Sequence, residues 1–248
     1  RKVLPPGSTH PELTQAGVVN AGSYVTGALA PDQIISIFGL NLAPEVAVAE
    51  STPLPTLLAG VHTDLIDSAG TTHALGLIFV APKQINCIVA GGAALGAGRL
   101  RVNSGGESAE IAVTVEAEAP GLFTANATGN GVAAAGAVRI DSSGAQTPVE
   151  VVDFSRQPFV GKPIDLGGES DQLVLLLFGT GFRNHQGSTT VTIGGVAAQV
   201  LGIAAQGQFA GLDQMNVLIP HSLRGGGEQP VAVNMSERPL NTVTVTIQ

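Results

Sequence analysis

Charge is scarce in this chain. Asp, Glu, Lys and Arg make up 12% of its 248 residues, about half the share of an average soluble domain, and only three are lysines. Intrinsic disorder goes with low hydrophobicity and high net charge; here 44% of residues are hydrophobic, which excludes it. Long solvent-facing helices are disfavoured too, because their outer faces need Lys, Glu and Arg. Tryptophan is absent and tyrosine occurs once, at Tyr24, so an aromatic platform for a glycan is not advertised, and most of the eight Phe fall in apolar runs that read as core. The single cysteine permits no internal disulfide; Cys87 lies in the apolar run Ile85–Val89 and reads as a small buried hydrophobe. No apolar run approaches the roughly 20 residues that cross a bilayer, and the longest, Leu173–Phe178, suits a buried strand, so membrane insertion is not expected. The net charge of −8 comes with no Lys/Arg cluster, which argues against nucleic acid.

What is present is Val, Ala, Gly, Thr and Leu, punctuated by 33 glycines and 15 prolines. That composition reads as all-β. Self-similarity is the strongest structural signal. IISIFGLNL (Ile34–Leu42) is echoed by LVLLLFGTGF (Leu173–Phe182), with Phe178 placed 140 positions after Phe38. FVAPKQINCIV (Phe79–Val89) is echoed by FAGLDQMNVLI (Phe209–Ile219), with Gln214 placed 130 after Gln84. SAEIAVTV (Ser108–Val115) is echoed by LNTVTVTI (Leu240–Ile247). Matched segments in one order predict a duplicated domain, with about ten extra residues in the first copy; these fit the loop Ala43–Pro55.

Each copy reads as several short strands. Thr189–Val200 is a hairpin closed by Gly194-Gly195. Asp67–Gly70 and Asn103–Gly106 mark turns of the first copy, and Asn234–Pro239 marks one of the second. Val243, Val245 and Ile247 alternate with threonines, the pattern of a half-buried strand. Strands every 8–12 residues with glycine-rich turns predict two tandem immunoglobulin-like β-sandwich domains, at residues 17–119 and 120–248. Residues 1–16, with Pro5, Pro6 and Pro11, predict an extended N-terminal arm. It could serve as a linker or dock on a neighbouring subunit along a sheet edge, with Val3 and Leu4, beside Pro5 and Pro6, as its anchoring stretch.

The signature that begins at Val18–Tyr24 continues through Ile34–Gly39, Asn41-Leu42, Leu54–Thr56, Gly60-Val61, Pro82–Asn86, Ala119–Phe123, Phe178–Gly181, Ile193–Ala197 and Gln214–Val217. Together these motifs resemble the tandem region found at the C-termini of many uncharacterised secreted bacterial proteins, which is similar to immunoglobulin-like domains of the IPT/TIG type. The resemblance spans about residues 17–248, with Cys87 standing where a larger apolar residue is expected. It implies a secreted or cell-surface β-domain pair without catalytic residues or cofactors. A chain that starts at Arg1 rather than Met fits a processed product or a fragment.

Chemistry-bearing residues are few. No G-x-S-x-G occurs, and His10, His62, His73, His185 and His221 are scattered without metal-ligand spacing. His62 and His73 could face one another across the first-copy hairpin. Asp165, Glu169 and Asp171 cluster in a glycine-containing loop but lack the calcium-loop pattern. Glu116 and Glu118 alternate as though on one strand face, a pairing that could suit glycosidase chemistry if a cleft held them. Asn126-Ala-Thr128 and Asn234-Met-Ser236 are candidate N-glycosylation sites in predicted turns, and Ser8 and Thr9 are candidate O-glycan acceptors.

Two functions compete. The first is a non-catalytic extracellular structural protein, a homo-oligomer whose copies assemble into a filament, helical if head-to-tail contacts do not close, or into a surface layer. It rests on low surface charge, few gatekeeping lysines and the free arm. The second is a surface binding or adhesion module that presents loops such as Ala43–Pro55 and Arg183–Ser188 to a glycan or protein.

Overall fold

The computed structural model describes residues 10–248, and it is all-β. Among the described residues the one helical feature is a single 3-10 turn at His221–Leu223, and no helix is long and apolar enough to cross a membrane. The chain divides into two compact units. Residues 10–20 with Val25–Ala119 form the first, and Ala21–Tyr24 with Pro120–Gln248 form the second. Val3, Leu4, Pro5, Pro6, Ser8 and Thr9 lie outside the described residues.

The first unit contains β1 (Glu12–Asn20), β2 (Ile34–Leu40), β3 (Ala47–Val48), β4 (Val61–Ile66), β5 (Thr72–Ala74), β6 (Gly76–Ala81), β7 (Gln84–Ile88), β8 (Gly96–Ser104) and β9 (Glu107–Val115). One sheet has the order β1-β2-β7-β6-β3, the other β5-β4-β8-β9. Period-two burial gives each strand an apolar face. Ile35, Ile37, Leu77, Ile85 and Cys87 from the first sheet meet Val61, Leu65, Leu100 and Val102 from the second in one buried cluster, so the two sheets enclose a shared core, consistent with a β-sandwich. Each fully buried Leu or Ile contributes roughly 1.5–3 kcal/mol relative to exposure.

Residues Glu12–Ala16, expected in an arm outside the folded region, form the first half of β1 instead. Glu12 pairs with Leu40 and Leu13 with Gly39, and an irregularity separates them from the pairing of Val18 with Ile37. Gly17 allows that irregularity, since a Cβ there would stand 2.3 Å from the Phe38 carbonyl oxygen. Leu13 packs against the core, which is why a proline-flanked segment folds back as strand.

The second unit contains β10 (Gly121–Leu122), β11 (Gly131–Val132), β12 (Ala135–Ile140), β13 (Gln146–Glu150), β14 (Val152–Asp153), β15 (Val160–Gly161), β16 (Gln172–Thr180), β17 (Thr189–Ile193), β18 (Val196–Ala205), β19 (Asp213–Leu218), β20 (Gly227–Met235), β21 (Arg238–Pro239) and β22 (Val243–Ile247). The path β11-β22-β20-β17-β18-β19-β16-β12-β13 is one continuous sheet folded on itself. The fold lies in β18. Ala198 pairs with Val191 of β17, then Gln199 pairs with Leu218 of β19, and a bulge follows between Val200 and Gly202. A strand that bulges can turn a corner and serve both walls. The core cluster draws on both walls, with Leu175, Leu177, Met215 and Val217 facing Val191, Val231, Val243 and Val245.

The two units share a register. Phe38 pairs with Gln84 and Ser36 with Asn86; Phe178 pairs with Gln214 and Leu176 with Asn216. Within each Gln-x-Asn the Gln amide donates to the Asn side-chain oxygen, at 3.0 Å in β7 and 2.8 Å in β19. β4 pairs with β8 and β8 with β9, as β17 pairs with β20 and β20 with β22. The chain that spans the two walls is continuous as β18 but broken at buried Leu75 into β5 and β6, where Leu75 N–H donates to the Thr63 carbonyl.

Candidate functional site

The first unit presents an apolar sheet edge. In the segment 43–57, Ala47 pairs with Val80 and Val48 with Phe79, and Ala49 N–H donates to the Ile78 carbonyl at 2.9 Å. Among the described strands none pairs with the outer side of β3. Val46, Val48 and Leu57 are 65%, 60% and 63% exposed. The only charges in the segment are Glu45 and Glu50. Soluble proteins usually blunt such edges with lysine or a covering loop, and this one carries neither a lysine nor an arginine.

The second unit exposes aromatics that composition placed in the core. Of the eight Phe, only Phe182 is fully buried. Phe154 is 68% exposed and meets Phe159 edge-on, with ring centroids 5.1 Å apart. Phe209 is 67% exposed. Hydrophobicity identifies a residue that can be buried, but the inside capacity is set by the walls, and the Val, Leu and Ile of this chain already fill it.

Two aspartates organise loops. Asp67 sits in the turn between β4 and β5. Its Oδ1 accepts the Ala69 and Thr71 N–H groups at 3.0 and 2.9 Å, and its Oδ2 accepts the Ala94 N–H at 3.0 Å beside His73 Nε2 at 2.8 Å. The Ala94 N–H and His73 hold the carboxyl down at about 2. Asp213, fully buried, accepts the Phe182 and Arg183 N–H groups at 2.7 and 3.1 Å and the Arg183 guanidinium at 2.5 Å. Removal from water pushes its carboxyl above the ordinary range, and those donors pull it partly back. Arg183 also donates to the Leu212 carbonyl, so it is a loop clamp and not a contact residue free to meet a partner.

The remaining candidates are dispersed. Asn126 lies in a turn, but its amide group is engaged at both ends, donating to the Phe159 carbonyl at 2.7 Å and accepting the Phe159 N–H at 2.8 Å. Asn234 is not in a turn; it pairs with Thr190 in β20 on an exposed face, and the turn begins at Ser236, with φ 48°. His62 does not face His73: His62 pairs with Asn103 of β8 and His73 with Leu65 of β4. Asp165 lies 3.5 Å from Arg139 and 3.9 Å from Arg224, and Asp171 accepts the Gly168 N–H, so Asp165 is paired with arginines and Asp171 is held by the loop backbone. Glu116 and Glu118 follow the end of β9 and share no strand face; Glu116 N–H is drawn off to the Leu29 carbonyl. His10 Nδ1 lies 3.3 Å from Glu107, and His221 Nε2 lies 2.7 Å from the Asp171 carbonyl. Cys87 is fully buried, and burial pushes its thiol up to about 12. Among the described residues, no three His, Cys, Asp or Glu gather as a metal site.

Compared with known proteins, the sequence matches no family model and no curated protein.

Proposed function

We propose that this chain is a non-catalytic, extracellular structural protein: two tandem immunoglobulin-like sandwiches of the IPT/TIG type whose copies join into a filament or surface layer. The observation that carries the reading is the β3 edge, where Val46, Val48 and Leu57 stand exposed with no cation nearby in sequence. Unpaired apolar edges are templates for another chain, and a head-to-tail contact that does not close propagates. The matching registers of β2–β7 and β16–β19 support the tandem reading. The exposed position of Asn234 suits a glycan on an extracellular protein. Negative-stain microscopy and sedimentation velocity over a concentration series test this. Polymers that Val48→Lys disperses are expected; monomers alone at high concentration would overturn it.

A second reading, a surface module that binds a glycan or protein, is favoured by the exposed Phe154 against Phe159. Sugars stack on such rings. A glycan array showing saturable binding that Phe154→Ala removes would select it over assembly.

A further inference from the structure

The two units can be compared at one sheet edge. Phe79 of β6 lies opposite Asn86 and Ala81 opposite Gln84; Gly202 of β18 lies opposite Asn216 and Ala204 opposite Gln214. Both strands bulge just before these pairs, at Ile78 and at Leu201. β6 and the second half of β18 are therefore counterparts, but their outer sides differ. On β6 that side is taken by β3, with Ala47 opposite Val80, Val48 opposite Phe79 and the Ala49 N–H on the Ile78 carbonyl. On β18 the pairing with β17 stops at Ala198, and among the described strands none pairs with the outer side of Leu201–Ala205. Leu201 is 48% exposed, Ala204 and Ala205 are exposed, and no charged residue occurs from Val200 to Gly211. The first unit covers this edge with its extra segment, and the second leaves it open.

We propose that the open edge of β18 receives the outer edge of β3 from a second copy, a contact that rests on the assembly reading and gives it an acceptor. In an antiparallel ladder every second residue turns its N–H and C=O away from its partner strand. The Gln206 N–H donates to the Leu212 carbonyl on the β19 side, so Ala205 and Ile203 turn their backbone outward. The Ala49 N–H faces β6, so Val48 and Val46 turn theirs outward on β3. An antiparallel approach sets Val46 opposite Ala205 and Val48 opposite Ile203, which join by main-chain hydrogen bonds and bring the exposed valines against the half-buried Ile203. The first unit shows what this kind of edge accepts: a short, uncharged stretch of valine and alanine. β3 of a second copy presents that same stretch, and no lysine guards either edge. Each copy carries one donor edge and one acceptor edge, so a joined pair leaves one of each open for the next copy.

The test uses full-length Val48→Lys, which spoils the donor, and full-length Ala205→Lys, which spoils the acceptor. By sedimentation velocity each alone should be a monomer, and an equal mixture should form a one-to-one dimer and nothing larger. A Val48→Lys dimer that forms alone would show β18 pairing with itself and overturn the proposal. Full-length Val46→Cys mixed with full-length Ala205→Cys under mild oxidation gives a second readout, because residues paired in this way bring their Cα atoms to about 5.5 Å, within disulfide reach. The native Cys87 is buried and does not compete. A mixed disulfide dimer is expected, with none from Val46→Cys mixed with the exposed Ser142→Cys; a variant carrying both Val46→Cys and Ala205→Cys should link into ladders, and a closed monomer would overturn the contact between copies. Polymers that persist in Ala205→Lys would overturn the acceptor and leave assembly standing, whereas neither wild-type polymers nor a mixed dimer would overturn both.

Discussion

Asp67 Oδ2 lies 2.8 Å from His73 Nε2 across the turn that joins β4 to β5, and the same oxygen accepts the Ala94 N–H from the chain entering β8. One carboxylate thus ties a hairpin to the segment packed beside it. The carboxyl is held at about 2, below the roughly 3.9 of an unfolded chain. A depressed folded value means the contribution is complete above about pH 4 and is lost as pH falls through about 2. Asp67→Asn should lower the melting temperature at pH 7 and flatten its decline between pH 5 and pH 2. Thermal denaturation across that range checks it, and an unchanged acid limb would remove Asp67 from the account.

Cys87 has the opposite sign. Its thiol, fully buried in β7, is pushed up to about 12, so the neutral form is favoured by folding. Its contribution is complete below about pH 8.5 and drains as pH rises toward 12. Iodoacetamide at pH 8 should label the native protein far more slowly than the urea-unfolded chain. Cys87→Ser, which buries a hydroxyl among apolar side chains, should destabilise the protein by about 1–3 kcal/mol. Rapid native labelling would contradict the buried placement.

Arg183 and Asp213 form the buried pair that closes the loop after β16. Removing one partner of such a pair costs about 3 kcal/mol, because a buried charge is left without its cation. Arg183→Ala should show that loss in urea unfolding, and Arg183→Ala with Asp213→Asn together should cost less than the sum of the two single changes. Strict additivity would mean the two side chains do not act on one another.

Legibility in the sequence followed the range of the interaction. The Phe-Gly and Gln-x-Asn echoes were readable because strand pairing in each unit sets the same residues opposite one another, Phe38 with Gln84 and Phe178 with Gln214. The alternation Val243, Val245, Ile247 was readable because one strand face alone decides it. The break at Leu75 was not, since Thr72–Ala81 reads as one strand and only the Thr63 carbonyl, twelve positions before Leu75, draws the chain out of line. Asn234 looked like turn because Asn-Met-Ser-Glu-Arg-Pro is polar, yet its pairing with Thr190 of β17 keeps it in strand. The candidate surface was least readable: β3 is two residues long within a proline-rich loop, and its exposure depends on its being the outermost of the described strands in its sheet.

The turn between β17 and β18 carries the last prediction. Gly194 and Gly195 have φ of 57° and 79°, a pair of left-handed residues that the two-residue hairpin requires. An L side chain there costs roughly 1–2 kcal/mol from backbone strain alone. At Gly195 nothing lies within 4 Å of a new Cβ, so Gly195→Ala should show only that strain, about 1 kcal/mol by urea denaturation. At Gly194 the Cβ would come 2.1 Å from the Gln229 side-chain oxygen, so Gly194→Ala should cost more, and Gln229→Ala added to it should recover the difference. Equal losses at the two glycines, or no recovery in the double variant, would show that Gln229 gives way freely and that the turn, not its neighbour, sets the whole penalty.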